Sequence, residues 1–246
     1  MASNRFYNEL ARWWPLVSPV GDYAGEAAEF IRIFESAAPG AKTLLELGSG
    51  GGHNAFYLKA RYALTLVDIS EPMLEVSKRL NPDCEHIAGD MRSVMLDRHF
   101  DIVFVHDAID YMAAEAELSA AIETAARHVA PGGIALFVPD HLKEGFEPSS
   151  DVGGVDGPGG EGVRYLEWSW DPDPSDTSGV VVYSFVTRER DGTWEAHSEQ
   201  HSFGLFSQSD WERVIAASGL SPRVILEETS EDRPPRAMFL GRKAAV

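Results

Sequence analysis

The chain has 246 residues, 44% of them hydrophobic, enough for a real core in one large domain or in one domain with a sizeable insertion. No run approaches the ~20 apolar residues of a membrane span, and the first residues lead into an amphipathic stretch without the apolar centre of a signal peptide. With 39 acidic against 21 basic residues the formal charge is −18, a surface that repels phosphate backbones and anionic lipid and argues against nucleic acid or a membrane as partner, while the single cysteine, Cys84, excludes an internal disulfide and fits a reducing cytoplasm.

Residues 5 to 38 read as two helices broken at Pro15 and Pro19, with Phe6, Leu10 and Trp13 on one face of the first and Tyr7 and Trp14 beside it. A strand over 42–47 and a helix from Gly52 to Ala60 follow. The second strand ends at Asp68, and Ser70-Glu71-Pro72 opens the next helix, with serine as cap and proline in the first turn. A third strand runs near Glu85 to Ala88 and ends in Gly89-Asp90-Met91; a fourth, Phe100 to Val105, ends at His106-Asp107. The helix carrying Leu118, Ile122, Ala125 and Val129 stops at Pro131-Gly132-Gly133, and Ile134 to Val138 form the fifth strand. Strands alternating with helices predict a parallel sheet covered on both faces.

After Pro139 the rhythm changes. Seven glycines within 145–162 argue for a mobile loop. Three alternating runs, 164–170, 180–186 and 193–203, the last two joined by a turn at Asp191-Gly192, predict three antiparallel strands inserted before the last helix, Ser209 to Ser218. Two closing strands, Arg223 to Glu227 and Arg236 to Gly241, complete the chain.

The most informative segment is Glu46-Leu47-Gly48-Ser49-Gly50-Gly51-Gly52, which ends an apolar strand and opens a helix. Bare backbone N–H groups and a helix N-terminus meet there, where nucleotide-like ligands dock. Asp68, at the end of the following strand, stands at the spacing of a ribose-binding acid. A dinucleotide fingerprint would need a third glycine at position 53, which is His53, so a nicotinamide oxidoreductase is disfavoured. An acid followed by glycines at alternate positions, Glu46, Gly48, Gly50 and Gly52, resembles the first motif of the class I S-adenosylmethionine-dependent methyltransferases. Gly89-Asp90-Met91 is similar to that family's motif at the end of strand three, and about forty residues of helical pattern before the first strand are also similar to many of its members.

The resemblance covers residues 40 to 140 and implies an α/β, Rossmann-like seven-stranded sheet with helices on both faces, here with an antiparallel three-stranded insertion between strand five and the last helix. The division it suggests is an N-terminal helical lid (1–40), a cofactor-binding core (41–140), a glycine-rich loop and β insertion (141–206), and a C-terminal part of the core sheet (207–246). It further implies S-adenosylmethionine as methyl donor, S-adenosylhomocysteine as product, and in-line transfer to an oxygen or nitrogen of a small molecule. A protein that binds the same ligand without transferring methyl would share the donor site. In this reading Glu46, Gly48, Ser49, Gly50 and Gly52 lie under the methionine end, Asp68 accepts from the ribose hydroxyls, Ile69 and Met73 flank the adenine, and Asp90 with the Met91 backbone meets the adenine amine. His106 contacts the methionine end, and Trp14 and Tyr7 lie on the lid. Met73 serves equally as plain core, Tyr7 and Trp14 as aromatic packing, and His106 as a structural histidine.

For the transfer itself, candidates stand at the carboxyl ends of strands four and five: His106, Asp107, Asp110 and Tyr111, then Asp140 and His141. Asp107 faces either the donor's amino group or the acceptor, His141 is a candidate base, and Tyr7 of the lid is the third catalytic candidate. His197 and His201 share a strand face, but nothing completes a metal site, and no metal is expected. Tyr165, Trp168, Trp170, Tyr183, Phe185 and Trp194 on the inserted sheet suit either the roof of an acceptor pocket or the interface of a homodimer. The layout is similar to natural-product methyltransferases, including those acting on amino sugars; no substrate-defining motif is legible.

Overall fold

The computed structural model describes residues 4–227 and 235–245; residues 1–3, 228–234 and 246, parts of the expected lid and C-terminal segment, lie outside the described residues. A short 3₁₀ turn, Ala11–Trp13, leads into helix α1 (Trp14–Val17), and a second, Val20–Tyr23, into α2 (Ala24–Ala37). Then come β1 (Thr43–Leu47), α3 (His53–Leu58), β2 (Ala63–Asp68), α4 (Glu71–Leu80), β3 (Glu85–Ala88), β4 (Phe100–His106), α5 (Glu115–His128) and β5 (Val129–Val138). The second half holds β6 (Ser149–Gly153), β7 (Gly162–Trp170), β8 (Ser178–Arg188), β9 (Trp194–Gly204), α6 (Gln208–Ala217), β10 (Ser221–Leu226) and β11 (Ala237–Arg242).

Seven strands form one sheet in the order β10-β11-β5-β4-β1-β2-β3, all running the same way except β11, which is antiparallel to both its neighbours, β5 and β10. Its strands are apolar on both faces because both are covered. Phe30, Ile33 and Phe34 of α2 recur at helical spacing and pack with Leu58 of α3 against Leu44, Leu66 and Phe104. On the opposite face Leu118, Ile122 and Ala125 of α5 and Trp211 and Ile215 of α6 cover Leu45, Val103 and Phe137. The strand order reverses between β1 and β4, so the carboxyl ends of these two strands open a crevice.

The insertion is a separate antiparallel sheet in the order β6-β7-β8-β9. It has four strands where the sequence reading expects three, because the glycine-rich stretch expected as a loop contributes β6, paired from Ser149↔Ser169 to Gly153↔Tyr165. Gly154, at φ +127°, then turns the chain back along β7 where a side chain would collide with the Val163 carbonyl. The Asp191-Gly192 turn is present, with Gly192 at φ +88°.

Two other expectations shift. Residues 6–10 are turns rather than the start of a helix, and Pro15 begins α1 instead of breaking one, since its missing N–H costs nothing in a first turn. Phe6, Leu10 and Trp13 are nevertheless all buried, against Val163 and Phe185 of the inserted sheet. Pro131-Gly132-Gly133 does not precede β5 but forms an irregularity inside it, with the pairing slipping between Phe100↔Val129 and Ile102↔Ile134. Among the described residues no helix is long and apolar enough to cross a membrane.

Candidate active site

At the carboxyl end of β1 the chain must turn over the edge of β2 at close range. The amides of Gly48 and Ser49 both donate to the Val67 carbonyl, at 2.8 and 3.0 Å, and Gly48, Gly50 and Gly52 take positive φ of 76°, 50° and 73°. Only glycine adopts that conformation without strain. A Cβ on Gly48 would run into Ala108 and lie 2.7 Å from Met91 Cε. Gly52 differs in purpose: its carbonyl accepts from Asn81 Nδ2 at 2.8 Å, and a side chain there would strike Ser77 of α4, so it fixes α3 against α4.

Asp68 anchors this loop. Its Oδ2 accepts from the Gly50 amide at 2.7 Å and its Oδ1 from the Ser70 amide at 2.8 Å, leaving further lone pairs for a ligand. Burial pushes its pKa up while those two amides pull it down, with a net rise. Ser70 caps α4, accepting from the Met73 amide at 3.2 Å, and its hydroxyl donates to the Tyr7 carbonyl, which pins the N-terminal segment to the core. From the same segment the Trp14 ring lies against Gly51, and its Nε1 donates to His53 Nδ1 at 2.9 Å. Burial lowers His53 to about 4, so it is a neutral acceptor.

The glycine loop, Asp68, Ile69, Met73, Asp90, Met91, His106, Asp107, Trp14, Tyr7 and His141 line one cavity of about 820 Å³. That places every residue assigned from the sequence on its wall except Gly52, which lies behind it. Ile69 is 67% exposed, an apolar surface that suits an aromatic base, whereas Met73 is 1% exposed and belongs to the packing beneath. Asp90 is already engaged by Arg92, whose Nη2 lies 2.6 Å from Oδ2 and whose Nε reaches both oxygens at 3.0 Å; Arg92 also meets Glu117 at 2.7 Å.

Behind the cavity floor lies a charge cluster with no local sequence signal. Glu26 of α2 lies 2.9 Å from His106 Nε2 and also accepts from Arg236 of the chain's end. Arg236 further meets Asp140 at 3.1 Å, Glu227 at 3.2 Å and Asp107 at 3.6 Å. Burial opposes ionisation of Glu26, but His106 and Arg236 outweigh it and hold its pKa at about 2. Burial likewise disfavours a charged His106, yet Asp107 and Glu26 raise it to about 9. Glu46, 3% exposed, is pushed up to about 8 by burial and by neighbouring Asp68 and Glu26, with His106 opposing. The Asp107 and Asp110 carboxyls are raised by burial and by Asp140.

The inserted sheet closes the far end. Glu167, Ser169, Val181, Tyr183, His201 and Phe203 face the cavity, so of the six insertion aromatics proposed as a roof only Tyr183 lines it. Phe185 and Tyr165 pack beneath the N-terminal segment, while Trp168 and Trp194 are on the outer surface. The Tyr111 hydroxyl stands 3.0 Å from that of Tyr7 and 2.9 Å from His201 Nδ1. Burial raises the pKa of both tyrosines well above the ordinary value, so their hydroxyls keep their protons. His141 packs edge-on to Phe146 and is kept neutral by burial. The sequence offered His201 only as half of an absent metal pair; its pairing with Tyr111, ninety residues away, carries no sequence signal.

The wall fits a polar ligand. Among the described residues eight buried side-chain polar atoms have no hydrogen-bond partner, and six of them belong to residues that line this cavity: Asn4, Glu46, Ser49, Asn54, Asp107 and His201. Buried polar atoms are normally satisfied, so their concentration here marks where ligand atoms complete the network. Glu46 Oε2 and Ser49 Oγ suit an amino-acid end, Asp68 a ribose and Ile69 a base, which are the parts of S-adenosylmethionine.

Comparisons with known proteins agree. A family described as "Methyltransferase domain" matches residues 44–133. The chain is 31% identical over 220 residues to the dTDP-3-amino-3,6-dideoxy-alpha-D-glucopyranose N,N-dimethyltransferase of Streptomyces fradiae, covering 88% of this chain and 85% of that one. It is 29% identical over 204 residues to the dTDP-3-amino-3,4,6-trideoxy-alpha-D-glucopyranose N,N-dimethyltransferase of Streptomyces venezuelae, covering 81% and 84%. Among solved structures, Streptomyces venezuelae DesVI superposes with a TM-score of 0.80 at 26% identity, covering 91% of this chain and 92% of that one. The sugar N-methyltransferase KedS8 from Streptoalloteichus gives 0.77 at 27%, covering 91% and 88%. The chain belongs to the S-adenosylmethionine-dependent methyltransferases that act on small molecules, with S-adenosylmethionine as cofactor. A protein that only binds this ligand is the less favoured reading.

Proposed function

We propose that this enzyme methylates the nitrogen of an amino sugar. The observation that carries the reading is one continuous cavity that runs from the glycine loop to the inserted sheet with unpartnered polar atoms at both ends, so donor and acceptor share one space. Its volume of about 820 Å³ lies toward the upper end of the roughly 300–1,000 Å³ usual for a small-molecule site, room for two joined ligands. The named relatives supply the choice of nitrogen over oxygen and of a sugar as its bearer.

When bound, S-adenosylmethionine supplies a methyl group on a sulfonium that is itself the leaving group. The chain's work is to orient and to keep water out. In this reading Glu46, Ser49 and the loop amides hold the amino-acid end, Asp68 the ribose, Ile69 the base, and Asp90, shared with Arg92, the adenine amine. Tyr7 and Trp14 lie across the cavity as part of a lid formed by residues 4–40. An amine must be neutral to attack, and His141, uncharged and with no hydrogen bond among the described residues, takes the surplus proton, while Asp107 holds the cationic partner. Tyr7 positions the acceptor through its hydroxyl and does not act as a base. Incubation of the purified chain with methyl-labelled donor and a 3-amino sugar tests this: label in a mono- and then a dimethylamine is the expected result, and label only in a sugar hydroxyl overturns it.

The outer face of the inserted sheet exposes Val152, Leu166, Trp168 and Val186, which supports a homodimer through the insertion; light scattering of the purified chain, expected at twice 27.0 kDa, tests this. A cytoplasmic setting is in keeping with the free Cys84, and the −18 charge with the absence of a nucleic-acid substrate.

A further inference from the structure

A run of hydrogen-bonding side chains crosses the acceptor end of the cavity, from β9 through the segment after β4 to the N-terminal segment. Glu199 and His201 lie two apart on β9 and so share a strand face. Both Glu199 oxygens accept backbone amides, from Arg5 at 2.9 Å and from Phe6 at 2.8 Å. Glu199 Oε1 also stands 3.0 Å from His201 Nε2, a buried nitrogen without an aligned hydrogen bond. On the other side of the ring, Nδ1 lies 2.9 Å from the Tyr111 hydroxyl, and that hydroxyl lies 3.0 Å from Tyr7 Oη. Tyr183 packs edge-on to the same histidine at 5.2 Å. Tyr7, Tyr111 and His201 all line the cavity.

Each hydroxyl owns a single proton, so the run has two possible directions, and Glu199 decides between them. Burial lowers the His201 pKa, although Glu199 opposes it, and the neutral ring carries one proton. On Nε2 that proton faces a carboxylate. On Nδ1 it would leave a nitrogen lone pair against the same carboxylate, with both side chains largely out of water. The proton therefore sits on Nε2, and Nδ1 accepts from Tyr111. With its own proton committed to His201, the Tyr111 oxygen accepts from Tyr7. Hydrogen bonds from Tyr7 and Asn4 to that oxygen pull against the rise in its pKa, in keeping with this direction. Tyr7 is left with lone pairs and no free proton to offer a ligand.

The direction matters to an amine. A hydroxyl that donates to a neutral amine occupies the nitrogen lone pair, the pair that must attack the methyl carbon. An oxygen that accepts from an amine N–H leaves that pair free. Its hold also strengthens as the nitrogen becomes positive, so it favours the transition state over the bound ground state. We propose, on the amine-methylating reading above, that Glu199 and His201 are positioning residues for the transfer: through Tyr111 they turn the Tyr7 oxygen to the acceptor as a hydrogen-bond acceptor. The nitrogen lone pair forms the new C–N bond, the carbon–sulfur bond breaks with its electron pair remaining on sulfur, and the surplus proton passes to His141. No net proton moves along Tyr7, Tyr111 and His201.

A double-mutant cycle tests this on the full-length enzyme, with labelled donor and a dTDP-linked 3-amino-3,6-dideoxy sugar. Glu199→Gln turns an amide NH₂ group to His201 and reverses the run. His201→Phe cuts the run in the middle and leaves the Arg5 and Phe6 amides held by Glu199. Either change frees the Tyr7 proton to point at the amine, and each should lower kcat about tenfold with S-adenosylhomocysteine affinity changed by less than about twofold. Adding Tyr7→Phe to either variant removes that proton, so kcat should recover to the value of Tyr7→Phe alone. A purely structural loss would instead multiply with the loss from Tyr7→Phe. Multiplied losses, or a kcat indifferent to both single variants, overturn the inference and leave amine methylation standing. Melting curves establish that the variants fold, and if Glu199→Gln does not, the His201→Phe arm decides. A parent enzyme that labels only a sugar hydroxyl overturns the amine reading and this assignment together.

Discussion

The two ends of the cavity are built by different means. The donor end is mostly backbone: loop amides, three glycines at positive φ, a strand-end carboxylate and a capped helix, all within residues 46–91. The acceptor end is assembled from side chains of β7, β8 and β9, of the segments that follow β4 and β5, and of the N-terminal segment, which meet only in the folded chain. A ligand that never changes can be held by a short local motif, whereas a variable acceptor is read by residues free to change one at a time. The contrast makes the donor end sensitive to single substitutions and the acceptor end graded.

The largest effect is expected where the two ends share a support. Arg236→Met takes the guanidinium away from buried Glu26, which keeps His106, and from the more exposed Asp107 and Asp140, and breaking a buried ion pair costs about 3–5 kcal/mol. Chemical denaturation should show a loss of that order, and activity should fall with it at both ends. Next, Asp68→Asn keeps an acceptor for one backbone amide but loses the charge assistance in the proposed bond to the ribose, worth about 1.5–3 kcal/mol. Calorimetry should show S-adenosylhomocysteine binding weakened roughly 30–100-fold. Asp68→Ala is the less informative change, since it also orphans the Gly50 and Ser70 amides and lowers stability.

Glu46 gives a pH test confined to the donor end. Its folded pKa of about 8 lies above the ordinary 4.5, so between these values the native chain holds a proton that the unfolded chain has released. Stability from this group is therefore full below about pH 4.5 and falls as pH rises toward 8. Binding of the donor's ammonium favours the ionised form, so affinity should climb through the same range. Glu46→Gln should flatten both slopes and raise the melting temperature at pH 8.5 by about 2–4 °C, the shift that ~1 kcal/mol brings in a domain of this size. A binding profile of the variant that keeps the parent's slope would remove Glu46 from that role. The smallest effect is expected for Tyr7→Phe: it removes one hydroxyl from the Tyr111 contact and should raise acceptor KM by about two- to fivefold without altering S-adenosylhomocysteine affinity. A change in donor binding of similar size would show that the two ends are not separable at this residue.

The same division explains what could be read from the sequence. Glycine at alternate positions, Asp68, and the Ser70-Glu71-Pro72 cap are local constraints on backbone geometry, strand–helix alternation made a covered parallel sheet legible, and the seven-stranded sheet followed from the family resemblance, whereas the strand order is seen only in the structure. Strand β6 was hidden because glycine density reads as loop, yet pairing with β7 outweighs weak local propensity. The turns at residues 6–10 share the apolar spacing of a helix, but burial against the inserted sheet is what that spacing serves. Glu26, His106 and Arg236 span 210 positions, and no periodicity in the chain connects them.

The N-terminal segment lies across both ends at once: Trp14 rests on Gly51, the Tyr7 carbonyl is held by Ser70, and the Tyr7 ring meets Tyr111. One short stretch of chain thus braces both ends of the cavity, and any change that loosens it is felt at each.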